Sequence, residues 1–297
     1  MKKAQSKLII ALLVVVMLVG FTACAKTAEV AAEPAADTTV DAPVATEAPA
    51  ATPLTGEITV SGSTSVEPVG TALGDEFMAL NPGVTFTYEG IGSSAGVQNA
   101  NDGTTMIGTA SREIKEDEKA FGLTEQELAY DGIAVIVNPA NGVADLSMEQ
   151  ILGIYNGEIT NWSEVGGADS EIAVISREDG SGTRGAFEEL VGFEDALTAS
   201  AIIKDGNGNV QSTVAGNPLA IGYVSFTYLD STVKGLTVGG VEPTVAAVLD
   251  GTYPISRPFM IIYHEENLSD AAKAFLAWVQ TDEAKDIISE KGAIPLE

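Results

Sequence analysis

The chain contains one cysteine, Cys24, and one histidine, His264, in 297 residues. A single cysteine excludes a disulfide within the chain, so stability must come from a buried core. One His and one Cys also exclude the usual zinc ligand sets, and no metal or other cofactor is expected. Basic residues are scarce: 15 Lys and Arg stand against 42 Asp and Glu, giving a formal charge of −27. That balance excludes a nucleic-acid binder, which needs a basic face. No G-x-x-x-x-G-K-[ST] occurs, so the chain is not a P-loop ATPase. The apolar run from Leu8 to Val19 has twelve residues, short of the roughly 20 that a spanning helix needs. No repeat of fixed period is visible. Aromatics are few and glycines many, which suits an α/β protein with numerous tight loops.

The N-terminal pattern is that of an export signal. Lys2, Lys3 and Lys7 precede the apolar run, and small residues lead to Cys24. A basic start, an apolar centre and a small-residue cleavage point define a secretory leader, expected over residues 1–23. Phe21-Thr22-Ala23-Cys24 resembles a bacterial lipobox, with Phe21 where Leu is commoner; the resemblance implies lipidation at Cys24 and a membrane anchor. Removing the leader takes away three lysines and no acid, moving the charge from −27 to −30. Residues 24–55 read as a disordered linker, rich in Ala, Thr, Glu and Pro and without apolar periodicity.

From Glu57 onward strands and helices alternate. Glu57–Ser61 is a short β-branched run, and Val66, Val69, Leu73, Phe77 and Leu80 then recur at helical spacing. Val84–Glu89, Met106–Thr109, Gly132–Asn138, Glu171–Ser176, Ala220–Phe226 and Pro258–Tyr263 read as further strands. Ser269–Ser289 reads as one terminal amphipathic helix. Such alternation predicts an α/β fold with parallel sheets.

Three loops share a grammar: Gly62–Ser65, Gly92–Gly96 and Gly180–Thr183 each follow a strand, combine Gly with hydroxyl residues, and open a helix. Helix N-termini carry unpaired N–H groups and partial positive charge, so such loops can bind an anion; ordinary N-capping by Ser and Thr is the alternative. Arg177 lies beside the third loop, and its planar fork suits two oxygens of a tetrahedral anion. Asp179 is the expected carboxylate partner of that guanidinium.

The segments TVSGSTSVEP, YEGIGSSAGVQ, IGTASREIK, SREDGSGTR, AIGYVSF and YPISRPF, in that order, resemble the phosphate-binding proteins of bacterial ABC phosphate importers. The resemblance covers nearly all of Glu57–Glu297 and is most specific at GIGSSAG and REDGSGT. It implies a periplasmic-binding-protein-like fold of type II, with two α/β lobes joined by two crossing strands: 56–130 plus 227–297, and 131–226. The strands near Ile133 and Val224 are the expected crossing. It implies a monomer that captures inorganic phosphate and hands it to a membrane permease. The implied contacts are Thr64, Ser65, Ser93, Arg177, Ser181, Gly182 and Thr183, with Asp179 orienting Arg177; Ser111 and Arg112 of the third segment are further candidate contacts. Familiar members carry aspartate after the serine of the third segment, where it accepts the proton of hydrogen phosphate. Here Arg112 follows Ser111, and it either forms a second clamp or turns away toward Glu113 or Glu116. Phosphate preference is expected to persist; sulfate and molybdate are the alternative ligands.

Two other classes compete. Gly92-Ser93-Ser94-Ala95-Gly96 fits G-x-S-x-G, so an esterase would use Ser94 and His264, with Asp230 or Asp250 as the acid. A surface adhesin would need no anion site at all.

Overall fold

The computed structural model describes residues 53–297. The leader, Cys24 and the linker up to residue 52 lie outside the described residues. The β-branched run at the head of the domain forms strand β1 (Thr55–Gly62), followed by helix α1 (Glu67–Leu80) and β2 (Gly83–Gly90). Pro68 sits in the first turn of α1, where its missing N–H costs nothing. Helix α2 (Ser93–Asn101) and β3 (Ile107–Ala110) complete the first set of parallel strands, β2 and β3 flanking β1.

Strand β4 (Thr124–Val137) links the two halves of the molecule. The apolar stretch from Gly132 marks only its second half. The first half, TEQELAYD, opens on four polar residues and is partly exposed, so no apolar run marks it. The strands that follow are β5 (Ala173–Arg177), β6 (Ile202–Lys204), β7 (Ala220–Ser225) and β8 (Ser256–Tyr263). The main sheet path runs β2-β1-β3-β8-β4-β7-β5-β6. Strand β8 is antiparallel to both β3 and β4, and β4 is antiparallel to β7, while β5 pairs in parallel with β6 and β7. The partner of β4 changes in mid-strand: Gly132 faces Ser256 of β8, and Ile133 faces Ser225 of β7.

Hydrophobic burial divides at the same place. One core gathers Ile58, Leu73, Phe77, Leu128, Ala129, Phe259 and Phe275. The other begins at Ile133 and holds Tyr155, Trp162, Phe187, Phe193 and Tyr223. A small cluster around Val97 and Ile262 lies apart from the first core. The expected return to the first lobe after Phe226 does not occur. Val233, Leu236, Val238, Ala247, Tyr253 and Ile255 are all buried in the second core. The chain goes back only at Ser256, because β8 is the strand whose register continues the first half. The crossing strands are therefore β4 and β8; Val224 belongs wholly to the second core.

Helices α3 (Gly182–Val191) and α4 (Gly206–Gly216) belong to the second half. The terminal helix is in fact two, α5 (Asp270–Trp278) and α6 (Asp282–Glu290). Thr281 separates them by capping Ala284 N–H, which ends one helix and starts the next. In the second core Phe187 stacks on Tyr223 at 4.1 Å between ring centroids and is fully buried. Phe187→Ala leaves a cavity beneath α3, and chemical denaturation is expected to show a loss of about 3–5 kcal/mol.

Candidate functional site

The loops after β1, β2 and β3 meet at one edge of the sheet. Gly62 makes this possible: its φ is +145°, and a Cβ there would stand 2.2 Å from the Thr109 carbonyl. Its own carbonyl accepts from Ile91 N–H at 2.9 Å and Gly92 N–H at 2.8 Å, binding the first loop to the second. Ser63 Oγ accepts from Ser65 N–H at 3.1 Å and donates to Ser111 Oγ at 2.8 Å. Ser111 N–H in turn donates to Ser93 Oγ at 3.1 Å. Three separate loops thus form one buried hydroxyl cluster, with Ser65, Ser93 and Ser111 at zero exposure.

The second half closes on this cluster from the other side. Arg177, at the end of β5, donates from Nη2 to Thr64 Oγ1 at 3.1 Å and from Nη1 to Thr183 Oγ1 at 3.4 Å. Thr183 Oγ1 and Ser65 Oγ lie 2.8 Å apart. Ser94 N–H donates to the Gly180 carbonyl at 3.1 Å. Gly182 must be glycine for this approach, since a Cβ would lie 2.2 Å from Ser93 Oγ and 2.8 Å from Ser111 Oγ. Ser181 Oγ caps α3 by accepting from Arg184 N–H at 3.2 Å. Of the expected contacts, Thr64, Ser65, Ser93, Ser111, Arg177, Ser181, Gly182 and Thr183 come together. The ring is rich in hydroxyl and guanidinium donors and stands at a helix N-terminus, a combination suited to oxyanions.

Two expectations fail. The carboxylate that orients Arg177 is Glu178, whose two oxygens accept from Nε and Nη2 at 2.7 Å each. Asp179 lies in the turn, 96% exposed, and pairs with Arg184 at 2.6 Å. Arg112 is no second clamp. Glu118 engages it with both oxygens, at 2.8 and 2.7 Å, and the Glu113 carbonyl accepts from it at 2.9 Å. Glu116 pairs with Lys119 instead. A bidentate carboxylate matches the guanidinium fork, so Arg112 is held away from the ring and reaches only Ser94 Oγ, at 3.1 Å.

Other members of the site were not singled out from the sequence. Arg257 and Asp131 face each other across β8 and β4 and form a buried ion pair at 2.9 Å. Arg257 also donates to the Ser111 carbonyl at 2.8 Å and to Ser65 Oγ at 3.0 Å. Burial works against both charges, pushing Asp131 up and Arg257 down, and their mutual attraction opposes it. A lone arginine in the apolar strand SRPFMIIY was the available signal, because a charge there needs a buried partner. Asn207, at the start of α4, is fully buried and donates to Thr64 Oγ1 and Ser65 Oγ at 3.1 and 2.9 Å. Its surroundings, DGNGN, hold the Asp-Gly and Asn-Gly pairs of a turn and nothing that marks a site. Tyr223, which lies under Arg177 and bonds Ser176 Oγ at 2.8 Å, is pushed up to about 12 by burial and stays neutral.

The esterase constellation is not assembled. Strand β8 runs antiparallel to β3, with Met260 opposite Ala110 and Ile262 opposite Gly108. His264 therefore follows β8 out at the sheet edge opposite the loops that hold Ser94. Asp230 and Asp250 bond their own neighbours Thr232 and Thr252. Among the described residues, no cluster of three or more His, Cys, Asp or Glu side chains is arranged to hold a metal.

Burial pushes the Glu178 carboxyl up, but the bonds and charge of Arg177, with N–H donation from Glu178 and Gly206, outweigh it and hold the pKa below the ordinary 4.5. A depressed acid stabilises the fold above its ordinary pKa and loses that contribution as pH falls through the lower, folded value. Asp131, with its raised pKa, has the opposite sign. Melting temperatures of wild type and Glu178→Gln are expected to differ most at neutral pH and to converge as pH falls through the lowered pKa of Glu178. A gap independent of pH would show that this carboxylate does not hold Arg177.

A PBP superfamily domain matches residues 43–283. The chain is 34% identical over 245 residues to the phosphate-binding protein PstS of Bacillus subtilis, covering 81% of each. A solved structure from Clostridium perfringens, described as a phosphate ABC transporter substrate-binding protein with bound phosphate, superposes with a TM-score of 0.80. It is 48% identical and covers 82% of this chain and 100% of its own. An ABC-type phosphate transport receptor from Vibrio cholerae gives a TM-score of 0.68 at 37% identity, covering 81% of this chain and 100% of that one. These matches span both halves of the sheet and the loops that meet between them, and the chain belongs to the PstS family of phosphate-binding proteins within the PBP superfamily.

Proposed function

We propose that this protein captures inorganic phosphate between its two lobes, outside the cytoplasm, and delivers it to the permease of an ABC importer. The reading rests on one observation above all: hydroxyl and guanidinium donors from both cores converge on one buried ring. The lobes follow the division of the cores, with residues 131–255 forming the second and the remainder of the described chain the first. Phosphate would take the donors of Thr64, Ser93, Arg177, Gly182 and Thr183 and favour the closed arrangement over an open one. The names of the PstS relatives support phosphate as the ligand. Arg112 does not take up the role of the familiar aspartate. The hydroxyls of Ser93 and Ser111, 3.5 Å apart with either able to donate, are the groups that can accept the ligand's proton.

The decisive measurement is thermal melting with phosphate, sulfate, molybdate or no added anion. Phosphate at about 100 times its dissociation constant is expected to add about 2.7 kcal/mol, with a smaller effect from sulfate. Equal effects of phosphate and sulfate would keep the anion site and remove the preference. No effect of any oxyanion would overturn the reading.

The sequence pattern at residues 1–24 supports export and lipidation at Cys24. One acyl chain anchors only marginally, so the proposed anchor carries more than one. Cys24→Ser is expected to move the protein from the membrane pellet to the medium or soluble fraction; unchanged pelleting in high salt would argue against the anchor.

A further inference from the structure

The hydrogen bonds around Asn207 fix which way several hydroxyl protons point. Asn207 Oδ1 accepts from Ser225 N–H at 3.1 Å. Turning the amide over would set its NH2 against that N–H, so its orientation is determined. The two amide protons then go to Thr64 Oγ1 at 3.1 Å and Ser65 Oγ at 2.9 Å. A hydroxyl has two acceptor sites and one proton. Ser65 Oγ accepts from Asn207 and also from Arg257 Nη2 at 3.0 Å, which fills both sites. Its proton goes to Thr183 Oγ1, 2.8 Å away. Thr183 accepts that proton and a longer bond from Arg177 Nη1 at 3.4 Å. Thr64 accepts from Asn207 and from Arg177 Nη2 at 3.1 Å. Thr64 and Thr183 are each left with their own proton to give away.

We propose that Asn207 is a positioning residue that sets Thr64, and through Ser65 also Thr183, as proton donors toward the bound oxyanion; the inference rests on the phosphate-binding reading above. Asn207 need not touch the ligand. Its amide acts as a buried switch of polarity: with donors on the Asn207 side, the threonine hydroxyls have no choice but to donate on the ligand side. Arg257, fixed by Asp131, supplies the second donor that completes the constraint on Ser65.

Asn207→Asp tests this in the full-length protein. The carboxylate keeps the shape and can still accept from Ser225 N–H, but it demands protons from Thr64 and Ser65 and turns them away from the ligand. Phosphate affinity by calorimetry at pH 7.5 is expected to fall roughly 100-fold, the scale of two reversed hydrogen bonds. The second arm is a double-mutant cycle with Thr64→Val, which has no hydroxyl to turn. The cost of Asn207→Asp is expected to shrink at least threefold in that background. Asn207→Ala, which deletes the amide without adding charge, gives an independent reading of about tenfold weaker binding.

Wild-type affinity in Asn207→Asp would overturn the proposal. So would costs that simply multiply in the double mutant, since a residue with a merely structural role weakens binding whether or not Thr64 has a hydroxyl. If the wild type itself fails to bind phosphate in the same calorimeter, the phosphate reading falls and not only this inference.

Discussion

The ion pair between Asp131 and Arg257 is the constraint on which the site depends. The two residues are register partners on the two strands that, among the described residues, join the halves of the molecule, at the point where β4 changes partner from β8 to β7. A buried pair of this kind gains little over an apolar one, because desolvating two charges costs about as much as their attraction returns. What it does supply is uniqueness. Slipping β8 by one residue against β4 would leave two buried charges without partners. The correct register places Arg257 against Ser65 and the Ser111 carbonyl and Asp131 against Ser225 and Phe226 N–H. One pair thus fixes the first-lobe loops, the end of β7 and the crossing strands relative to one another.

A chain of charge −27 that binds an anion works against its own field, which lowers the local anion concentration and the rate of capture. The three buried or nearly buried arginines around the site do not correct this with surplus charge. Arg177 is matched by Glu178, Arg257 by Asp131 and Arg112 by Glu118. An uncompensated guanidinium in such a place would cost several kcal/mol whenever no anion was bound. Neutral pairing removes that cost and leaves the ligand to be held by directed donors in a region of low dielectric, where each bond is stronger than in water. Affinity in such a site comes from where the protons point, a property of the hydrogen-bond chain through Asn207, Ser65 and Thr183, while the ligand's own proton is left to the hydroxyls of Ser93 and Ser111.

The alternation of strands and helices, the three glycine-hydroxyl loops and Arg177 were legible in the sequence because each depends on local chemistry. The errors came where a choice between neighbours is made by tertiary contacts. Glu178 and Asp179 are adjacent carboxylates, and nothing local says which one turns back to Arg177; the Gly206 N–H that also binds Glu178 comes from a distant segment. Arg112 looked like a candidate clamp because Glu118, its true partner, lies six residues on, within a short helix. The span 227–255 shows only short strands and one brief helix, so its burial in the second core had no periodic signature. Asn207 was invisible because Gly-Asn-Gly-Asn reads as a turn until Thr64, Ser65 and Ser225 are placed around it.

The contacts between the lobes are of a kind that leaves the closed state near balance. Thr64 with Arg177, Ser65 with Thr183, Asn207 with both first-lobe hydroxyls and Ser94 with Gly180 are bonds to small polar groups, and each such bond contributes only about 0.5–1.5 kcal/mol net, because opening returns the groups to water. Apolar contact across the seam would have been far harder to reverse: the fully buried aromatic residues lie within one core or the other. A ligand that adds several charge-assisted bonds in the closed arrangement alone can therefore shift a finely poised equilibrium by orders of magnitude. The polarity of the seam makes the trap reversible, and the fixed direction of its protons supplies the donors that hold an oxyanion in it.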